Sequence, residues 1–487
     1  MMKTLGQVFT PDYIVDLILD DIGYTHGNIL NKKIMEPSFG RGVFLVHILE
    51  RLIAECQHCG LNLFDIQKQI SNNIYGIEID TSLYNETIDT LNEIVKKNNI
   101  PFYIKWNLFN QNALEWKNFN EFDYVVGNPP YVRVHNLDNK TKELMKNFSF
   151  SKGMKELYVT FFELGLKMLN DQGKLSYITP NSYITNTSQK EFRKYLLENN
   201  LVSKIENFGS WKVFDKVGSY TCITVLEKNK QYSNFLYTSI KGSEREYGNI
   251  YNINDFDFKE LPWDLTNKDD EKFLKDNNKK QNKVGDFVDC QYGFATNCDR
   301  VYISKDIKPI DDNKVVFNGY EIESNLIKKI VKGSTYYGQG NYYILFPYHD
   351  DVSIIQEDEM KKQYPLAYKY LLDHKDELKK RDMEKGAIWY QFARSQGLKN
   401  CFKKKLVINN IISGYSNQVG IYELPANVFV YSGIFITSNQ DNLDFIKEQL
   451  ETEEFARYVK LKGKDMSGGY KNFNSKTVKE FGIKKPA

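Results

Sequence analysis

The chain has 487 residues, and 65 Lys and Arg against 63 Asp and Glu give a formal charge of +2, which points to no partner. At 41% hydrophobic and 26% charged residues the composition is that of an ordinary globular protein long enough for two domains, and it excludes disordered and collagen-like chains. Six cysteines, at 56, 59, 222, 290, 298 and 401, are too scattered for a disulfide framework, no apolar run approaches the ~18 residues of a membrane span, and Met1 to Gly6 lacks the apolar stretch of a signal peptide.

In chain order, Thr10-Pro11 is the expected start of a helix, the hydroxyl capping and the proline at the first helical position, with Ile14, Leu17, Ile18 and Ile22 on one face. A short strand, Lys33 to Glu36, runs into the turn Pro37-Ser38-Phe39-Gly40-Arg41-Gly42, and Phe44, Leu45, Ile48, Leu49 and Leu52 mark the next helix. That helix ends in Cys56-Gln57-His58-Cys59, which lacks a nearby fourth zinc ligand, so no metal is expected. A second strand, Ile74 to Asp80, ends in acids. A third, Phe122 to Val126, runs into Gly127-Asn128-Pro129-Pro130-Tyr131. A helix over 156–169, strands over 174–179 and 203–207, and an apolar run over 220–226 follow. Strands alternating with amphipathic helices predict an α/β fold with a mostly parallel sheet.

Beyond residue 227 the chain turns rich in Lys, Asn and Asp, and periodic apolar positions return at Val284. The expected division is a domain over 1–235, a polar connecting region over 236–283, and a second domain over 284–487. The second has an α+β texture, with aromatic-rich strands over 342–346, 406–411 and 428–436 and helices near 357–378 and 442–461.

The near-zero net charge hides segregation. Residues 1–130 hold 10 basic and 16 acidic side chains, residues 131–230 hold 16 and 10, and the remainder hold 39 and 37. The sign changes at the Asn-Pro-Pro-Tyr element, either by drift or because an acidic half holds something cationic beside a half that meets an anion.

Gly40 and Gly42 leave room for a ligand against the backbone between strand end and helix, and Glu78 at the next strand tip can accept hydrogen bonds from two ribose hydroxyls. Glu36 stands where a pyrophosphate would approach, which favours a cofactor with a positive centre, S-adenosylmethionine; the bland reading is a turn that only joins strand to helix. Asn128 to Tyr131 is sharper: by composition this tetrapeptide arises by chance in roughly a few chains per thousand. The adenine amine is a poor nucleophile because its lone pair is delocalised into the ring. The Asn128 side-chain carbonyl and the Pro129 backbone carbonyl can each accept one amino hydrogen, drawing the nitrogen towards a tetrahedral geometry. Tyr131 offers a flat face for a base that has left the duplex.

With these motifs in this order, the chain resembles the gamma-class N6-adenine-specific DNA methyltransferases of restriction-modification systems. The resemblance implies a Rossmann-like S-adenosylmethionine-dependent methyltransferase domain followed by an α+β DNA target-recognition domain. It implies that Thr10 and Glu36 hold the methionine moiety and Glu78 the ribose. Asn112, in Asn112-Ala113-Leu114-Glu115-Trp116, stands where the family usually has an Asp contacting the cofactor's adenine, and could do so through its carbonyl. Residues 173–182 match a family motif that walls the active site. Phe214, with Trp211 second, matches the aromatic that faces Tyr131 across the flipped base. Trp389 to Ser395 and Met466 to Tyr470 look like patches of fused target-recognition domains, with core packing the alternative for Trp389 and Tyr390. Arg394 is a candidate phosphate or guanine contact, and Lys471 belongs to a lysine-rich final segment that is either a solvated tail or a backbone-binding strip.

The implied protein is a cytoplasmic monomer of a bacterium or phage that acts on double-stranded DNA without metal or membrane. No nuclease of its own is expected, because nine residues precede Thr10 and no Asp/Glu-x-Lys cluster follows a strand Asp in the second half; whether a separate restriction endonuclease acts on the same site is left open. The alternative is methylation of an RNA adenine or a protein glutamine, which rarely calls for so large a second domain.

Overall fold

The computed structural model describes residues 10–101, 103–151, 156–214, 220–241, 244–253, 263–338, 340, 342–383, 386–466 and 469–484. The chain divides into two compact units at Lys268/Asp269. The first holds a nine-stranded sheet of β1 (Ile34–Glu36), β2 (Ile74–Glu78), β3 (Asn107–Asn110), β4 (Phe122–Gly127), β5 (Leu169–Pro180), β6 (Val202–Asn207), β7 (Thr221–Glu227), β8 (Asn234–Lys241) and β9 (Glu244–Asn252). Their order across the sheet is β3-β2-β1-β4-β5-β7-β6-β8-β9. The run from β3 to β5 is parallel throughout, and β7 then pairs antiparallel with both β5 and β6. This is an α/β unit built on a mostly parallel sheet, followed by a second unit with its own small sheets.

Alternate residues on each strand feed two separate cores. Met35, Val125, Tyr177 and Ile205 pack on one face beneath α6 (Leu157–Met168) and α7 (Lys190–Glu198). Ile34, Val126, Ile178 and Ile223 pack on the other beneath α1 (Asp12–Asp21), α2 (Val43–His58) and α4 (Thr81–Lys97). A sheet buried on both faces accounts for the continuous apolar runs of its central strands.

Several expectations are corrected. Pro11, not Thr10, occupies the N-cap position of α1, and no described side chain caps that helix. The segment expected as a polar connector contains β8 and β9 and then a helix over Lys268–Lys279. These strands expose polar side chains such as Asn234, Glu244, Arg245 and Glu246, which mask a strand pattern. The strand expected over 428–436 breaks at Ser432-Gly433, and Val428–Tyr431 and Ile434–Thr437 enter different sheets. Gly433 adopts φ 149°, where a Cβ would stand 2.4 Å from the Ser334 amide nitrogen.

In the second unit the strand expected over 406–411 likewise splits, into Lys405–Ile408 and Ile411–Ser413. The helix near 357–378 is three, interrupted at Tyr364-Pro365 and His374, because proline starts a helix more readily than it continues one. The helix over 442–461 is two, the later one capped by the Thr452 hydroxyl. No described helix is long and apolar enough to cross a membrane.

Candidate active site

A cleft with about 1160 Å³ of empty space, partly open to solvent, lies where β1, β2, β3 and β4 end. Ligands of open α/β sheets bind at such carboxyl ends. Thr10, Glu36, Gly40, Glu78, Asn112 and Asn128 all line it, so the structure brings together six of the residues expected at the cofactor.

The glycine turn shapes its floor. Gly40 (φ 53°) and Gly42 (φ 72°) take a left-handed conformation that disfavours side chains. A Cβ on Gly42 would lie 2.3 Å from Thr87 Cγ2, whereas one on Gly40 would meet none of the described residues within 4 Å. Gly42 is therefore a packing requirement, and Gly40 is the open position beside the cleft. The Glu78 carboxylate accepts from the backbone amides of Gly40 (2.8 Å) and Asp80 (2.8 Å), which ties the turn to the tip of β2. Burial raises its pKa against the pull of these amides.

Glu36 is 2% exposed, and its Oε2 is buried with no hydrogen-bond partner among the described residues. Burial, and then the nearby Glu78 charge, push its carboxyl well above the usual range, opposed by the Leu45 backbone amide in the first turn of α2. A carboxylate left so costs several kcal/mol unless something cationic or hydrogen-bonding meets it. Together with the open space at Gly40, this orphaned oxygen fits the positive methionine end of S-adenosylmethionine.

Asn128 follows β4 directly. Its Nδ2 donates to Thr10 Oγ1 at 3.2 Å, which fixes the plane of the amide and explains why Thr10 does not serve α1. Pro129 follows it in the turn, and Pro130 lines the cleft. The Tyr131 hydroxyl donates to the Ile178 carbonyl (3.0 Å) on β5. Its ring meets Phe214 at 6.4 Å between centroids with planes 65° apart, an edge-to-face contact. The two expected base-stacking rings are neighbours, but they are not the parallel walls of an open slot.

Asn112 lines the cleft with its amide already engaged on both sides. Its carbonyl accepts from the Leu114 amide (3.0 Å), capping the turn Ala113–Glu115, and its Nδ2 donates to Thr141 Oγ1 (3.2 Å). Thr141 in turn donates to Asp138 (2.7 Å), a cleft residue that the sequence did not single out. Its only sequence signal was an Asp heading a short helix.

In the second unit both candidate DNA contacts are ion-paired: Arg394 with Asp382 (2.8 Å) and Lys471 with Asp465 (2.6 Å). Tyr390 is fully buried, its hydroxyl donating to the Ile355 carbonyl, so it packs the core. Of the glycine-rich patch, Ser467 and Gly468 lie outside the described residues. Among the described residues no cluster could hold a metal ion. Glu55 instead engages His26 and Gly27 beside Cys56 to Cys59.

Residues 65–214 match the family model described as Eco57I restriction-modification methylase. The type II restriction enzyme and methyltransferase RM.Eco57I of Escherichia coli is 26% identical over 88% of this chain and 51% of its own length. The type II methyltransferase M.BstVI of Geobacillus stearothermophilus is 26% identical over 78% of this chain and 72% of its own. The chain thus spans about half the length of the Escherichia coli relative. Among solved structures, the type IIL restriction-modification enzyme MmeI in complex with DNA shares the fold with TM-score 0.62 at 13% identity, over 95% of this chain and 64% of that one. A nuclease-deletion mutant of the type ISP enzyme LlaGI, with a DNA substrate mimic, gives TM-score 0.57 at 14% identity, over 92% and 44%.

Proposed function

We propose that this chain, whose residues 65–214 match the Eco57I restriction-modification methylase family, is a site-specific DNA methyltransferase acting on N6 of adenine in a double-stranded sequence. The observation that carries the reading is Asn128-Pro129-Pro130-Tyr131 at the end of β4, opening on a cleft that holds the orphaned Glu36 carboxylate. S-adenosylmethionine, when bound, supplies an electrophilic methyl group on a positively charged sulfur. Glu36 would hold its positive end, and Glu78, at the tip of β2, would hold the ribose hydroxyls. Thr10 steadies the Asn128 amide.

The Asn128 side-chain carbonyl and the Pro129 backbone carbonyl accept the two amino hydrogens of the extruded adenine and localise its lone pair. Catalysis then rests on orientation and on these two acceptors, and the proton of the product ammonium passes to water. Tyr131, with its hydroxyl anchored, supplies the apolar face for the base. The second unit reads the sequence, with Arg394 and Lys471 exchanging their aspartate partners for phosphate or base. The chain acts as a monomer in the cytoplasm.

The test is to incubate unmethylated genomic DNA with enzyme and S-adenosylmethionine and to map methylated adenines by sequencing. One fixed motif around the marks is expected, and marks on RNA or protein alone overturn the reading. Asn128→Ala should lower transfer by ~100-fold or more while binding of S-adenosylhomocysteine stays within a few-fold.

A further inference from the structure

The two aromatic rings beside the site come from segments far apart in sequence, and both are tied to the end of β5. Tyr131 is tied directly, through its hydroxyl and the Ile178 carbonyl. Phe214 is tied through the end of β6. There the Asn207 carbonyl accepts from Asn181 Nδ2 (3.0 Å), just past β5, and from the Gly209 amide (3.0 Å), while Asn207 Nδ2 donates to the Tyr237 hydroxyl (3.2 Å) on β8. Gly209 has φ 53°, the Phe208 amide donates to the Thr221 carbonyl, and the Trp211 amide donates to the Phe208 carbonyl. The chain therefore leaves the sheet in a turn whose direction the Asn207 side chain sets, and it arrives with Phe214 buried against Tyr131.

We propose that Asn207 is a positioning residue for the target base: its bonds to Asn181, Gly209 and Tyr237 set residues 208–214 in register with Tyr131 and so fix the wall that an extruded adenine meets. The inference rests on the function proposed above. Asn207 touches neither cofactor nor base; it acts through the backbone that carries Trp211 and Phe214. One strand end thus registers both sides of the base site, although 83 residues separate Tyr131 from Phe214 in the chain.

The experiment uses the full chain and a duplex carrying 2-aminopurine at the mapped target adenine, whose fluorescence rises when the base leaves the stack. Asn207→Leu removes all three bonds. Asn207→Asp keeps them, since its oxygens accept from Asn181, Gly209 and the Tyr237 hydroxyl. Asn207→Leu should lose at least half of the fluorescence rise and lower kcat about tenfold, with S-adenosylhomocysteine affinity within threefold of the wild type. Asn207→Asp should restore both readouts to near wild type. If Asn207→Leu fails to bind S-adenosylhomocysteine, Asn181→Ala, which removes one bond, decides by showing a smaller loss of the same kind. Wild-type fluorescence and kcat in the deciding variant, or equal losses in Asn207→Leu and Asn207→Asp, overturn the proposal. Failure of the underlying reading is distinct: the wild-type enzyme would then place no methyl group on DNA.

Discussion

Glu36 and Arg394 are both charged side chains that the sequence singles out, and the fold treats them in opposite ways. Glu36 is 2% exposed and has no ion-pair partner among the described residues. The Arg394 side chain is 43% exposed and already holds Asp382. A buried, uncompensated carboxylate costs several kcal/mol, so its presence in a cleft points to a ligand that meets it. An exposed ion pair contributes ~0–1 kcal/mol, so Arg394 loses little in trading Asp382 for phosphate, whereas Lys471 pairs with a largely buried Asp465 and is held more firmly.

The largest expected effect breaks that contrast at its buried end. Glu36→Ala should weaken binding of S-adenosylmethionine by ~30-fold or more, because removing one partner of a buried charged contact costs about 2–5 kcal/mol; calorimetric titration checks it. The same residue should act with opposite sign on the fold. A raised carboxyl pKa gives stability that is fully present below the ordinary glutamate range and lost as pH rises through the raised value. Without ligand, Glu36→Gln should therefore be more stable than wild type at pH 8, by about 1–3 kcal/mol, with the gap closing towards pH 4 in denaturant titrations. Unchanged stability at pH 8 would mean that the carboxylate is already compensated. The smallest effect lies at the exposed end. The variant Arg394→Ala should keep its melting midpoint, the stability change staying within ~0.5 kcal/mol, while DNA affinity falls and the salt dependence of binding flattens by about one unit of slope for the phosphate that is no longer neutralised. A change in stability well beyond that would make the Arg394–Asp382 pair structural.

Local spacing made the chemistry legible: Glu36 before the glycine turn, Glu78 at a strand tip and Asn128-Pro129-Pro130-Tyr131 after an apolar strand stand in the chain much as they stand in the cleft. The strands β8 and β9 were not legible in the same way, because strands with exposed side chains do not advertise a core. Local spacing also assigns the Thr10 hydroxyl to its own helix, when the fold spends it on Asn128, 118 positions away. Asn112 carries a motif position without the motif's freedom, since its carbonyl caps Leu114 and its amide leads to Thr141 and Asp138.

The sequence by itself determined the central strands β1, β2, β4, β5, β6 and β7 and the motifs at their ends, because apolar period and turn chemistry act over a few residues. Tertiary structure alone decided which polar groups are satisfied and which are left waiting. One Glu36 oxygen, Oε2, lacks a hydrogen-bond partner among the described residues, while β1 and β2 bring the Glu36 and Glu78 carboxylates to one cleft. The base-side rings stand together because Ile178 and Asn181, at one strand end, hold segments that the sequence keeps far apart.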